Sequence, residues 1–487
     1  MNTWWNRFYN KRQKRSPRGS EQLSAVPREV SASGDGSVAV GGSAEIIVAG
    51  SHNALTIHLG SAGPTSLDEL ADAGRARMMQ RWHAAGVPLA VASEFADTLE
   101  LGTLPAALTT SPESRVVVLE GCFGAGKSLA AERQHHQDIA AARTDAQAPV
   151  PVHLQAKHIE GDVIDAAIRA ARPIGDPAAR GVALVLDGLD EPGPIRGKEL
   201  LDQALSWTAT TTGRRWRILL TTRPGLEVDA SVRRFIPELD DDETSSLIDR
   251  LGGDGRAVRD QPAMVRSVVR WPLFAIIAAT LQRDREPLPS SPVAFLEALV
   301  TRALRDVESA KEERAEQLLR RLAAECVNVG GLAAASDVGS PAEVQALLGT
   351  RLVVRRGDRH LAFALPVLEQ YFAGQALLAD GVPVEVMQSV ELLDRWRYGL
   401  AMAIASGGWK SVHAMLEPLL HAQPGVVAWA VHEAIPRNVP EGEGPWTALH
   451  ASVYRQLSKL GSGNLAQQVT ASSSIQGGPA PSQSMPA

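Results

Sequence analysis

Residues 115–128 read RVVVLEGCFGAGKS, and this stretch constrains the chain more than any other. A short aliphatic run, Val116 to Leu119, feeds directly into GCFGAGKS, and a helical pattern follows. Strand, glycine loop and helix in that order form the setting of a phosphate-binding loop. The loop backbone comprises Gly121, Cys122, Phe123, Gly124, Ala125 and Gly126. Its glycines let the N–H groups curl toward one point, where the positive end of the following helix dipole also acts. Lys127 is placed to reach the outer phosphates of a nucleotide, and the Ser128 hydroxyl to bind Mg²⁺. Cys122 reads as a small side chain filling a variable loop position.

A second constellation follows at the right distance. Ala183 to Leu186 are apolar and lead to Asp187, at the carboxyl end of a buried strand, where a carboxylate serves as a metal ligand. Gly188 lets the chain turn at once, so Asp190 and Glu191 are expected to crowd near the same phosphate, one of them orienting an attacking water or taking its proton. Arg223 leaves the next strand, WRILLTTRP, on the same sheet edge and is expected to read the terminal phosphate charge. There is no [NT]-K-x-D run of the guanine-reading kind, which favours adenine.

GCFGAGKS, ALVLDGLDE and LLTTRP, in this order and spacing, resemble the NACHT family of STAND P-loop NTPases. Those are the nucleotide switches of animal inflammasome-type receptors and of bacterial anti-phage proteins. The resemblance covers roughly 113–380 and implies ATP or ADP with Mg²⁺ as ligands, slow switch-type hydrolysis, homo-oligomerisation on activation and an unidentified trigger. RWPLFAIIAA is similar to the family's first helical domain, which implies that Pro272 and Leu273 lie near the adenine. LAFALPVLEQYFAGQAL resembles the family's winged-helix signature, with two departures. Leu365 stands where the family often has a phosphate-reaching histidine, and the acidic residue is displaced to Glu369, with Gln370 in its usual place. A histidine-latched, ADP-bound off state is therefore not implied for this chain.

The 487 residues allow several domains. The expected class is an α/β P-loop domain, a parallel sheet with helices on both faces, followed by helical and winged-helix domains and preceded by a short β-rich segment. The expected organisation begins with a basic, disordered tail over 1–33, a β-rich segment over 34–60 and a helical adaptor over 63–112. The nucleotide-binding domain covers 113–235, a helical domain 236–290, a winged-helix-like domain 291–380, a carboxy-terminal helical domain 381–460 and a disordered tail 461–487. Within the α/β part, helices are expected at 127–143, 162–172 and 199–210, and strands at 150–156, 183–191 and 216–225. Ser66 and Glu69 suggest a capping box opening the adaptor. A hairpin is expected to turn at Gly357-Asp358. His135 and His136, adjacent on a helix, read as surface residues.

A formal net charge of −6 offers no global basic field for nucleic acid. Two distant cysteines, the lack of a signal peptide and the lack of about 18 consecutive apolar residues imply a cytoplasmic protein without a transmembrane segment. The run at 268–281, broken by Arg270 and Pro272, reads as a buried helix. Trp4, Trp5, Phe8 and Tyr9 before a basic cluster allow either membrane-surface contact or a solvated tail, and the short amphipathic stretch favours the tail. The strands of 34–60 suggest self-association. The rival to a hydrolytic switch is a scaffold in which nucleotide is only structural.

Overall fold

The computed structural model describes residues 39–40, 44–49, 54–59, 64–98, 115–305 and 309–434. The tails expected at 1–33 and 461–487, and residues 99–114 and 435–460, lie outside the described residues. Three strands, β1 (Ala39–Val40), β2 (Ala44–Ala49) and β3 (Ala54–Leu59), form an antiparallel sheet in that order, with Ile46 opposite Ile57.

Helix α1 (Leu67–Ala84) starts where the Ser66 hydroxyl accepts a hydrogen bond from the Glu69 amide at 3.2 Å. The return arm differs from the expected box, because the Glu69 carboxylate accepts from Thr65 instead of Ser66. Helix α2 (Leu89–Thr98) follows.

The α/β domain is built on five parallel strands: β4 (Val116–Glu120), β5 (Val150–Gln155), β6 (Val182–Asp187), β7 (Arg217–Thr222) and β8 (Arg233–Phe235). Their order is β5-β6-β7-β4-β8. Four strands were legible from hydrophobic runs, but β8 was not, since Arg233-Arg234-Phe235 has the polarity of an edge. Helices α3 (Lys127–Thr144), α4 (Val163–Ala171), α5 (Pro177–Arg180) and α6 (Pro194–Ala209) connect the strands. Helix α6 starts five residues before the expected position, at a proline whose missing N–H costs nothing in a first turn.

Alternation sorts each strand onto two faces. Val118, Leu184, Leu186, Ile218 and Leu220 pack with Leu200 and Ala204 of α6 on one side. Val117, Leu119, Val185 and Leu219 pack with Ala130 and Ala131 of α3 on the other. The same period sends Asp187 and Thr221 toward α3. His135 corrects the surface reading: it is 1 % exposed, its ring 5.5 Å from that of His153 on β5. The burial of Glu132, Gln134, His135 and Asp138 on α3 has no counterpart in the helix's own pattern.

The remaining described chain is mostly helical: α7 (Asp241–Arg250), α8 (Gly255–Arg259), α9 (Ala263–Val269), α10 (Pro272–Arg283), α11 (Pro292–Leu304) and α12 (Ser309–Val329). Then come β9 (Ala333–Ala334), α13 (Ala335–Val338), α14 (Pro341–Gly349), β10 (Val353–Arg356) and β11 (His360–Phe363), the strands pairing antiparallel in the order β10-β11-β9. Helices α15 (Pro366–Asp380), α16 (Val384–Gln388), α17 (Val390–Ser406), α18 (Trp409–Ala422) and α19 (Pro424–Ala434) complete it. One apolar core holds Phe274, Phe295, Leu319, Leu368, Trp396 and Leu416.

The run 268–281 is two helices, α9 and α10, bent by 115°. Pro272 forces the break, because the preceding Trp271 is extended at φ −91, ψ 128. No single helix among the described residues is long and apolar enough to cross a membrane. Helices α15 and α17 meet backbone to backbone, where a Cβ on Gly374 would stand 2.7 Å from the Ala403 nitrogen. That close approach brings Gln370 and Tyr398 to the same end of the helical region.

Candidate functional site

Parallel register aligns the carboxyl ends of the strands, and the chemistry collects there. Glu120 pairs with Thr222 and Gln155 with Asp187. The glycine loop, Arg223, the turn after Asp187 and Lys157 after β5 therefore emerge on one edge.

Gly124 and Gly126 take φ of 80 and 88, left-handed values that let the loop curl before α3 begins at Lys127. No side chain caps α3, so its first N–H groups face the loop's concavity. The Lys127 Nζ donates to the Gly121 and Cys122 carbonyls at 2.7 and 3.0 Å. Burial pushes this ammonium below its ordinary pKa, opposed by Asp190 and Asp187.

Helix α10 closes one side of the loop. A Cβ on Gly126 would touch the Pro272 ring at 3.4 Å, and one on Gly124 would stand 3.0 Å from the Phe274 ring. The Leu273 amide donates to the Gly124 carbonyl at 3.3 Å, and Phe123 meets Phe274 edge to face at 5.5 Å. Gly124→Val is expected to combine a strained φ with this clash, and to lose nucleotide binding and thermal stability together; calorimetry with and without ATP measures both.

The carboxylate that ends β6 and the two that follow it face three different partners. Asp187 accepts from the Thr221 hydroxyl at 2.6 Å, and its second oxygen lies 3.6 Å from Arg81 of α1. Asp190 accepts from the Arg223 amide at 3.0 Å and pairs with its Nε at 3.3 Å. Glu191 turns to Lys157 at 3.6 Å, and Lys157 is also 3.7 Å from Glu369 of α15. Burial pushes the Glu191 carboxyl up to about 7; Lys157 opposes this, while Asp190, Asp187 and Glu369 add to it.

Arg223 links the sheet to the helical region. Its guanidinium lies 3.9 Å over the Tyr398 ring and 5.7 Å from that of Phe123, and it donates to the Gln370 side-chain oxygen at 2.7 Å. Arg397 donates to the Asp190 carbonyl at 3.0 Å. Leu365 is buried at the start of α15 and carries no titratable group.

The structure thus brings Gly121 to Ser128, Asp187, Asp190, Arg223 and Pro272 around one loop, with Glu191 beside them on Lys157. The donors suit a hard divalent cation: a hydroxyl on Ser128 and a carboxylate on Asp187 are oxygen ligands of the kind Mg²⁺ takes. Sequence reasoning missed Thr221, Lys157, Arg81 and Tyr398. Alternation in LLTTRP marked Thr221, and its place just after β5 marked Lys157, but no local signal marked Arg81 or Tyr398.

A separate open groove of about 840 Å³ lies between α4 and α6. Asp162, Asp165, Glu199 and Asp202 line it, so it repels the phosphates that the loop is shaped to hold.

A parallel sheet whose glycine loop, lysine, strand-end carboxylate and arginine share one edge defines the P-loop α/β class. No family model matches the chain, and no curated protein matches it. Among solved structures, it is similar to that of the FIGL-1 AAA domain in complex with ADP, at 15% sequence identity and a TM-score of 0.21. That match spans 41% of this chain and 76% of the other. At that distance the likeness adds nothing to the reading of the site.

Proposed function

We propose that this protein is a cytoplasmic, ATP-dependent conformational switch of the NACHT kind, serving signalling or defence and assembling on activation by a trigger of unknown identity. The observation that carries this reading is the Arg223 junction, where one guanidinium from the sheet edge meets Asp190, Gln370 and Tyr398 at once. In this proposal the loop amides from Gly121 to Ser128 and Lys127 bind the phosphates of ATP or ADP. Ser128 and Asp187 would hold Mg²⁺, which would supply positive charge against the phosphates. Pro272 lines the adenine side. Arg223 exchanges Gln370 for a terminal phosphate oxygen, and that exchange frees or seats the winged-helix-like segment containing α15.

Glu191 is the proposed base and Asp190 the residue that orients Arg223. A carboxyl with a pKa of about 7 is protonated below that pH and an effective base above it. Hydrolysis is therefore expected to rise through neutral pH toward a plateau on the alkaline side. Glu191→Gln is expected to keep ATP binding, lower phosphate release by about 10²–10⁴-fold and abolish the pH dependence. Steady-state phosphate release between pH 6 and 9 measures this.

The second reading, a scaffold stabilised by nucleotide with little hydrolysis, draws on the Lys157 bridge, which ties the proposed base to α15. Equal, negligible phosphate release by the unaltered chain and by Glu191→Gln would favour it.

A further inference from the structure

Two arginines one turn apart on α1 reach the α/β domain in different ways. Arg77 holds Glu132 of α3 with a fork, Nε at 2.6 Å and a terminal nitrogen at 3.0 Å. Arg81 makes longer contacts: 3.4 Å to the Ser128 carbonyl, 3.5 Å to Glu132 and 3.6 Å to the Asp187 carboxylate. Ser128 and Asp187 are the residues proposed to hold the cation, and they lie on different elements, α3 and β6. The Thr221 hydroxyl already donates to Asp187 Oδ1, so Oδ2, which Arg81 faces, is the oxygen left for a cation.

The surroundings are already rich in positive charge. Arg77 and Arg81 both act on Arg356 of β10 as like charges, and His153 stands 3.7 Å from Glu132. Two carboxylates, Glu132 and Asp187, face this group. A divalent ion added at Asp187 would repel the nearest guanidinium. Arg81 is the member that can yield. Its contacts are longer than those of Arg77, and the Arg77 fork holds Glu132 without it.

We propose that Arg81 is a positioning residue that competes with a Mg²⁺-class cation for Asp187, so that cation loading loosens α1 from the α/β domain. The proposal deepens the nucleotide reading and rests on it. Through it α1 responds to metal occupancy and not merely to nucleotide.

The test uses the full chain, a fluorescent ATP analogue and a Mg²⁺ titration after EDTA. Arg81→Gln is expected to lower the Mg²⁺ concentration for half-maximal ATP retention by about fivefold, and to leave ADP affinity in EDTA unchanged. Arg77→Gln, which loosens α1 but removes a charge acting on Asp187 only from longer range, is expected to shift the Mg²⁺ midpoint less than Arg81→Gln does. In the unaltered chain, amide hydrogen exchange over 67–84 is expected to speed up with Mg²⁺ and ATP relative to ATP in EDTA. An unchanged or raised Mg²⁺ midpoint in Arg81→Gln, or the same shift in Arg77→Gln, overturns the proposal. If Arg81→Gln does not fold, the exchange measurement decides, and equal exchange in the two conditions overturns it. Nucleotide retention that ignores Mg²⁺ sinks this inference and leaves the nucleotide reading standing, whereas no binding of ADP in EDTA removes both.

Discussion

Lys127→Ala is expected to lower ATP affinity by about 100-fold, as two charge-assisted contacts of roughly 1.5 kcal/mol each would give. The Lys127 ammonium sits among the loop carbonyls of Gly121 and Cys122, poised where the loop's N–H groups converge. Burial disfavours its charged form, and the negative charge of a polyphosphate would offset that cost. The fold should tolerate the change. The side chain bonds only to loop carbonyls, and the glycine torsions that shape the loop do not depend on it. Titration with a fluorescent ATP analogue measures the loss, and far-UV circular dichroism checks the fold. Normal affinity in a folded variant would show that this loop is not the phosphate site.

Glu132→Gln is expected to have the largest effect on stability, about 3–5 kcal/mol, as when one partner of a buried pair is removed. Glu132 is 3 % exposed and has Arg77, Arg81 and His153 within ion-pair range. Burial alone would raise its pKa, but Arg77, His153 and Arg81 outweigh burial and hold it well below the ordinary value of 4.5. The sign follows from that depression. Its contribution is full above the unfolded value near 4.5 and is lost as pH falls toward the folded value. The gap between the unaltered chain and Glu132→Gln should therefore be wide at pH 7 and should close in acid. Urea unfolding at pH 7, pH 4 and pH 3, followed by tryptophan fluorescence, measures it, with most of the narrowing expected below pH 4. A gap that stayed constant with pH would mean that packing, not charge, accounts for the loss.

Much of the site was legible because its parts are local. The loop from Gly121 to Ser128 needs only consecutive residues with the right torsional freedom, and two of its glycines do take left-handed φ. Asp187 and Arg223 were legible because a buried strand points its carboxyl end in one direction, and parallel register aligns neighbouring ends. The hairpin turn was legible for a similar reason, with Gly357 taking φ of 58 between β10 and β11.

What the residues could not reveal depends on which surfaces meet. His135 has the polarity of a surface residue and lies buried beside His153. The carboxylate that ends β6 and the two that follow it look like one cluster in the chain, yet Thr221, Arg223 and Lys157 draw them to separate partners. Arg81 lies on a helix far ahead of the loop, and nothing near it in sequence points toward Asp187. By itself, the sequence determined the strand–loop–helix unit, the polarity of the sheet and the residue types at its edge, since these follow from torsional preference and side-chain period. Only the tertiary structure decided which cations face those carboxylates, because the packing of α1 on α3 and of α15 against Arg223 depends on contacts between residues far apart in the chain.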